Sequence, residues 1–148
     1  MAREATIELN CICEQKSIMF LINSLCDGGW TVYNAQNQIK YLPIGDNDDF
    51  DWKEERLSYE ELKNIVEDKQ QKNELVGVCL YYKGTSYGID LLLRNLQEVI
   101  VSIDINRKKI GEERDSLTDF EWYFSRIIKI LNQNESFLIS YKFLDYID

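Results

Sequence analysis

Three strand-like runs follow one another in the middle of the chain, and they constrain the fold more than any other feature. Residues 75–82, 87–93 and 99–105 are rich in the β-branched, aliphatic and aromatic residues that favour strands. The connections between them, KGTS and RNLQE, are too short for a crossover, so neighbouring strands must run antiparallel. The sequence therefore predicts an antiparallel meander.

Further strands are predicted on both sides of this meander. Residues 5–13 alternate apolar and polar side chains, the pattern of a half-buried strand. Residues 30–34 and 38–44 are typical of a hairpin that turns at residues 34–37. Residues 137–146 alternate in the same way and predict a last strand.

Three segments are predicted to form amphipathic helices, and the last two of them also have start signals. The first ends at Gly28, a residue suited to a helix C-terminus. Ser58 with Glu61, and Thr118 with Glu121, match the capping-box pattern at the starts of the second and third. The predicted helices span residues 17–29, 56–68 and 117–131.

The order of these elements predicts the fold class. The order is β-α-β-β-α-β-β-β-α-β, and a length of 148 residues favours a single domain, residues 1–148. We expect an α+β fold in which about six or seven strands form one mostly antiparallel sheet. About three amphipathic helices should cover one face of that sheet.

The charge of the chain limits its partners and its location. A net charge of −9 disfavours nucleic acid and anionic membrane surfaces, both of which need a cationic footprint, and favours a basic protein partner. The first ten residues lack the apolar core of a signal peptide, and the apolar run at residues 18–22 is too short to span a bilayer. We therefore predict a cytoplasmic protein.

The absence of histidine limits the chemistry. Nucleophile pairs such as Ser-His and Cys-His are excluded, and the commonest zinc ligand is missing. A zinc site would need all four cysteines to converge, and small core residues are the favoured interpretation. We predict no enzyme activity, no cofactor and no metal. The cysteines are Cys11, Cys13, Cys26 and Cys79.

Residues 45–55, GDNDDFDWKEE, are the segment whose composition is least typical of a packed core. Six of these eleven residues carry a carboxylate. Residues 46–61 hold eight carboxylates against Lys53 and Arg56, which leaves −6 of the chain's −9. An aromatic anchor framed by carboxylates is typical of a surface that binds a basic protein. The predicted partner-binding residues are Asp46, Asp48, Asp49, Phe50, Asp51, Trp52, Glu54 and Glu55.

Two other interpretations of this stretch stay open. It can be a solvated loop whose aromatic residues, Phe50 and Trp52, hold it against the core. Asp51-Trp52-Lys53 also matches the Asp/Glu-x-Lys element of a metal-dependent nuclease superfamily, although no basic surface accompanies it. The spacing of the oxygen ligands does not fit an EF-hand.

Three segments have to be considered together: GDNDDFDW (45–52), YYKGTSYGIDLLL (81–93) and TDFEWYFSRIIKIL (118–131). They resemble the immunity proteins of bacterial polymorphic-toxin and contact-dependent inhibition systems. The resemblance implies a cytoplasmic protein that binds one toxin domain, commonly a nuclease, and blocks its active site. It implies no particular fold, because these families do not share one.

The sequence thus favours a toxin-neutralising protein that binds its target through an acidic surface. The alternative is a different non-enzymatic interaction module or a nucleic-acid mimic, and a carboxylate-dependent nuclease is less favoured. The sequence does not predict an oligomeric state.

Overall fold

A computed structural model of the chain describes residues 3–12, 14, 16–133 and 137–147. These residues form one open, antiparallel, eight-stranded sheet and three helices, which confirms the predicted α+β class. The strands are β1 (Arg3–Cys11), β2 (Trp30–Thr31), β3 (Ile39–Tyr41), β4 (Lys53–Glu55), β5 (Val76–Tyr82), β6 (Gly88–Asn95), β7 (Glu98–Ile105) and β8 (Leu138–Ile147).

The helices are α1 (Ile18–Asp27), α2 (Tyr59–Gln71) and α3. Helix α3 begins as an α-helical turn at Phe120–Tyr123, continues as a π-helical segment at Phe124–Ile128 and ends with a turn at Lys129–Leu131. The predicted element order roughly matches the observed one, which has an additional strand, β4, between β3 and α2. None of the helices in the described ranges has both the length and the apolar character needed to cross a membrane.

The strand order in the sheet is β4-β3-β5-β6-β7-β1-β8, and β2 pairs with β5 beside β3. The predicted meander of β5, β6 and β7 is confirmed. The predicted hairpin at residues 30–44 forms only one bridge, Tyr33 with Ile39, because β2 and β3 each pair with β5 instead. The last strand, β8, pairs with β1 along almost its whole length.

All three helices pack on one face of the sheet, which we call the helix face. Alternate strand residues such as Ile7, Leu91 and Val101 are fully buried there, in one cluster with Leu21 of α1 and Leu62 of α2. The opposite face, called the open face here, carries none of the helices in the described residues. The segment between β3 and β4 folds over part of it.

The sequence predicts a capping box at the start of two helices, and the structure has one of them. Ser58 Oγ accepts the amide of Glu61 (3.1 Å), and Glu61 Oε1 accepts the amide of Ser58 (3.4 Å), which confirms the predicted capping box of α2. Helix α1 ends at Gly28, as predicted, and its N-cap is Ser17.

The predicted capping box of α3 is wrong. The side chain of Asp119, not that of Thr118, caps this helix by accepting the amide of Trp122 (3.2 Å). Thr118 is buried instead, where its hydroxyl accepts a hydrogen bond from Arg107 (2.9 Å) and its amide donates to Asp145 (3.0 Å). These tertiary contacts take the place of local capping.

Candidate functional site

A buried lysine of α2 holds the start of the acidic loop, which we define as residues 45–52. The side chain of Lys69 is 1 % exposed, and its ammonium donates to the backbone oxygens of Leu42 (3.3 Å), Pro43 (2.6 Å) and Asp46 (2.7 Å). Burial lowers the pKa of Lys69, while the neighbouring Glu74, 3.9 Å away, and Asp46 raise it in part. The ammonium thus satisfies three carbonyl groups at the point where the chain leaves β3.

The carboxylate of Asp46 shapes the rest of the loop from inside. It accepts the backbone amides of Asp49 (3.0 Å), Phe50 (3.1 Å) and Asp51 (2.7 Å), and the residue is only 5 % exposed. Phe50 adopts a left-handed backbone conformation with a φ of 56°, which costs a non-glycine residue roughly 1–2 kcal/mol. The three amide hydrogen bonds offset this cost and fix the direction of the Phe50 side chain.

Two further side chains hold the loop on the sheet. Arg94 of β6 donates to the backbone oxygen of Asn47 (2.9 Å) and to its side-chain oxygen (3.1 Å). The same Asn47 side chain accepts the amide of Leu75 (2.9 Å). On the other side, Glu74 accepts the amide of Gly45 (2.8 Å). The loop is therefore connected to β6, to β5 and to the end of α2.

Trp52 ends the loop with its ring on the open face of β5. A Cβ atom at position 77 would lie 2.9 Å from that ring, so only glycine allows so close an approach. The Lys40 ammonium lies 5.9 Å from the ring centroid, within the range of a cation–π contact. Trp52 is half-buried, so it holds the loop against the sheet and keeps part of its ring at the surface.

The structure places the eight predicted partner-binding residues in three different environments. Glu55 is half-buried and accepts the hydroxyl of Tyr41 (2.9 Å), Trp52 is half-buried as described, and the Asp46 carboxylate is turned inward. The other five are exposed to solvent on the loop and on β4. They are Asp48, Asp49, Phe50, Asp51 and Glu54, and Phe50 is 50 % exposed.

A groove of about 760 Å³ runs from Phe50 across the open face. Its floor includes Leu92 and Ile100, which are register partners on β6 and β7. Glu8 and Lys142 continue this row on β1 and β8. The groove therefore has an apolar floor and charged rims, and it meets the acidic loop at Phe50. We call it the loop groove.

Sequence reasoning missed Lys69, Arg94 and the loop groove. One signal for Lys69 was present, because Leu62, Val66 and Lys69 have the i, i+4, i+7 spacing of the buried stripe of α2. A lysine in such a stripe must find partners for its ammonium. The groove had no sequence signal, because strands far apart in the chain form it.

A second polar cluster lies on the open face away from the loop. The thiol of Cys79 donates to Asp90 (2.9 Å), and Asp104 lies beside the same carboxylate. The pKa of Asp104 is raised to about 7, mainly by desolvation and in second place by the contact with Asp90. Cys79 lies on the open face and Cys11 in the helix-face core, so these two thiols do not converge.

Of the two other cysteines, the structure describes one. Cys26 is half-buried on α1, and Cys13 lies outside the described residues. Within the ranges that the structure describes, no group of three or more cysteine, aspartate or glutamate side chains is arranged to hold a metal ion.

Comparison of this chain with protein-family models, with curated proteins and with solved structures gave no match. The fold defines the chain as an α+β protein with an open antiparallel sheet. Its most distinctive surface is a rigidly held acidic loop beside the loop groove, and a function has to be argued from that geometry.

Proposed function

We propose that this chain is a non-enzymatic, toxin-neutralising protein that binds a basic toxin domain in the cytoplasm and blocks its active site. The observation that carries the proposal is the exposed Phe50, framed by the exposed carboxylates of Asp48, Asp49 and Asp51 on a loop held by buried contacts. A large aromatic residue with a charged rim is the arrangement of a binding hot spot.

The way the loop is built supports binding rather than mere solvation. The contacts of Lys69, Asp46 and Arg94 fix the backbone before any partner arrives. Binding through a preformed loop avoids the entropy cost of ordering it, so more of the interaction energy appears as affinity. A loop with no binding role does not need a strained, half-exposed phenylalanine at its tip.

Charge supports a cationic partner. The exposed carboxylates of the loop, with Glu54 on β4, belong to a segment that carries −6 of the net charge of −9. Such a field speeds the encounter with a basic protein. The active site of a nuclease is cationic because it attracts phosphate, and the carboxylates of an inhibitor can occupy the same pockets.

The loop groove extends this surface. An apolar side chain of the partner can pack between Phe50 and the floor formed by Leu92 and Ile100. Glu8 and Glu98 on the rim offer acceptors for a neighbouring lysine or arginine. The proposed contact area thus combines an aromatic anchor, an apolar floor and charged rims, in which Arg94 and Lys142 lie beside the two glutamates.

The test is a growth-rescue assay with the toxin domains encoded beside this chain's gene. Each domain is expressed alone and together with wild-type protein, and the proposal predicts that the wild type restores growth against one of them. Variant Phe50→Ala and the triple variant Asp48→Asn/Asp49→Asn/Asp51→Asn should rescue poorly, although both should fold normally.

The control variant removes the same charge elsewhere. Glu112, Glu113 and Asp115 are exposed in the loop between β7 and α3, and changing them to glutamine or asparagine leaves the acidic loop intact. This control should rescue like the wild type. Equal rescue by wild type, control and both loop variants would contradict the proposed surface, and no rescue of any neighbouring toxin would contradict the proposed function.

A further inference from the structure

An aromatic cluster on the helix face joins the turn between β5 and β6 to helix α3. The ring centroids of Tyr82 and Tyr87 lie 5.5 Å and 5.2 Å from that of Trp122. All three residues are half-buried, so part of the cluster reaches the surface. None of the three belongs to the acidic loop or lines the loop groove. The aromatic cluster is therefore a separate feature of the molecule.

Arg126 of α3 is the charged residue beside this cluster. Its guanidinium carbon lies 4.4 Å from the ring centroid of Trp122 and 5.1 Å from that of Tyr82, within cation–π range. Its Nη1 donates to the backbone oxygen of Trp122 (3.2 Å), and its own backbone oxygen accepts the indole N–H of the fully buried Trp30 (2.8 Å). Arg126 also lies in the π-helical segment of α3, and such segments are frequent at functional sites. These contacts hold the guanidinium in place before any ligand arrives.

Two donors of this guanidinium have no acceptor. Within the described ranges, Arg126 donates through Nη1, its buried Nε has no hydrogen-bond partner, and no carboxylate lies within 4.0 Å of it. Arg3, by contrast, pairs with Asp145 at 3.5 Å. A buried N–H without an acceptor is rare in folded proteins and calls for an explanation. An unpaired, firmly held arginine in a chain with 26 carboxylates indicates an acceptor that comes from outside the chain.

We infer that Arg126, beside the rings of Trp122 and Tyr82, binds an oxyanion, a carboxylate or a phosphate, from outside the chain. Nε and Nη2 lie on the same edge of the guanidinium, and two parallel hydrogen bonds from such an edge match two oxygens of either group. Because Nε is shielded, the anion should meet Nη2 first and Nε second. The rings exclude water from one side of the site, and the lower local dielectric strengthens these charge-assisted hydrogen bonds.

The negative charge of the chain is concentrated elsewhere. Residues 46–61 carry −6 of the net charge of −9, which leaves −3 for the other residues. The acidic loop folds over the open face, whereas the rings that hold Arg126 pack on the helix face. Lys129, three residues further along α3, adds a second positive charge. The anion site is therefore independent of the proposed function, because it lies on the other face and takes a ligand of opposite charge.

Titration of the full chain with sodium phosphate and, separately, with sodium acetate tests the inference. The Nε–H resonance of Arg126 and the indole N–H resonance of Trp122 are followed by NMR. At least one of the two anions should shift both resonances in a saturable manner. Tighter binding of phosphate would identify a phosphate ligand, and tighter binding of acetate a carboxylate ligand. Sodium chloride at the same ionic strength should cause only small shifts that do not saturate.

The variant Arg126→Lys keeps a positive charge beside the rings but loses the paired donors of the guanidinium. Followed through the Trp122 indole, it should bind the anion at least about tenfold more weakly than the wild type. The control Arg114→Lys changes an exposed arginine between β7 and α3 and should bind like the wild type. The wild-type titration remains decisive even if Arg126→Lys does not fold. Shifts that fail to saturate with both anions, or equal affinities of the two variants, would overturn the inference.

Discussion

At one edge of the sheet the chain leaves β3, folds into the acidic loop and returns as the three-residue strand β4, whereas at the other edge β8 runs for ten residues beside β1. The first edge is short and charged, and internal polar contacts hold it. The second is long and uncharged overall, and its apolar side chains are partly exposed. The difference shows that a single sheet can end in one edge built from charged residues and in another whose side chains are mostly uncharged.

The two edges are also held by different interactions. Buried polar groups, above all Lys69 and Asp46, hold the acidic loop. At the other edge, Phe143 of β8 stacks on Phe120 of α3, with ring centroids 4.5 Å apart. Replacement of buried polar residues should therefore destabilise the first edge much more than the second. The following predictions test that difference in order of decreasing effect.

The largest effect should come from Lys69→Met. Without the ammonium, three carbonyl oxygens at the start of the acidic loop lose their donor, and we expect a loss of about 3–5 kcal/mol in the free energy of unfolding. Urea unfolding measures it. The matched control is Lys72→Met on the same helix, whose surface pair with Asp68 should contribute nothing measurable. Equal midpoints for the two variants would show that buried polar contacts do not hold this edge.

A smaller loss is expected for Asp46→Asn. An amide group cannot accept all three backbone amides, so one N–H loses its partner, which costs about 1–3 kcal/mol. Hydrogen exchange at Asp49, Phe50 and Asp51 should become faster in this variant. The exposed neighbour supplies the control, because Asp48→Asn should change neither stability nor exchange. Unchanged exchange in Asp46→Asn would contradict the role of this carboxylate.

The two aromatic residues of the loop should differ in their effect on stability. Trp52→Ala removes a half-buried ring from its contact with β5 at Gly77 and should cost about 1–2 kcal/mol. Phe50→Ala, at the exposed tip, should change stability by less than about 0.5 kcal/mol. Thermal and urea unfolding of both variants are the measurements. A larger loss for Phe50 than for Trp52 would mean that their roles are reversed.

The smallest effect on stability should come from Asp104, whose carboxyl group lies on β7, an interior strand of the sheet. Its pKa is raised from 3.8 to about 7 in the folded protein, so the folded state binds more protons than the unfolded state between these values. The contribution of Asp104 to stability is therefore present below about pH 4 and is lost as the pH rises through 7.

The variant Asp104→Asn removes this titration. Its stability relative to the wild type should increase as the pH rises from 4 to 7, and the change should be small because the residue as a whole is exposed. Urea midpoints of both proteins across this range are the check. A difference that stays constant with pH would show that Asp104 titrates normally.

The sequence predicted those parts of the fold that local interactions decide. The meander of β5, β6 and β7 follows from its short connections. The capping box follows from two residues only three positions apart, Ser58 and Glu61. It did not predict the N-cap of α3, because Arg107 and Asp145 bind Thr118 from elsewhere in the chain. It did not predict β4 either, whose pairing with β3 depends on the intervening acidic loop.

For the candidate site, the sequence located the segment but not the orientation of its side chains. Counting carboxylates could not distinguish Asp46, which faces inward, from Asp48, which is exposed. Nor could it show that Trp52 lies on Gly77 while Phe50 is directed outward. Each of these facts depends on Lys69, Arg94 or β5, which are brought to the loop only by the fold.

The central claim is that the outer side of the acidic loop binds a cationic partner. Association kinetics with the toxin domain that the chain neutralises in the growth assay test this claim most directly. The variant Asp48→Asn/Asp49→Asn/Asp51→Asn should associate about tenfold more slowly than the wild type at low salt, and the difference should shrink at high salt. Phe50→Ala should mainly speed dissociation. The control that neutralises Glu112, Glu113 and Asp115 should behave like the wild type. Unaltered kinetics of the triple loop variant at low salt, or an equal slowing of the control, would contradict the claim.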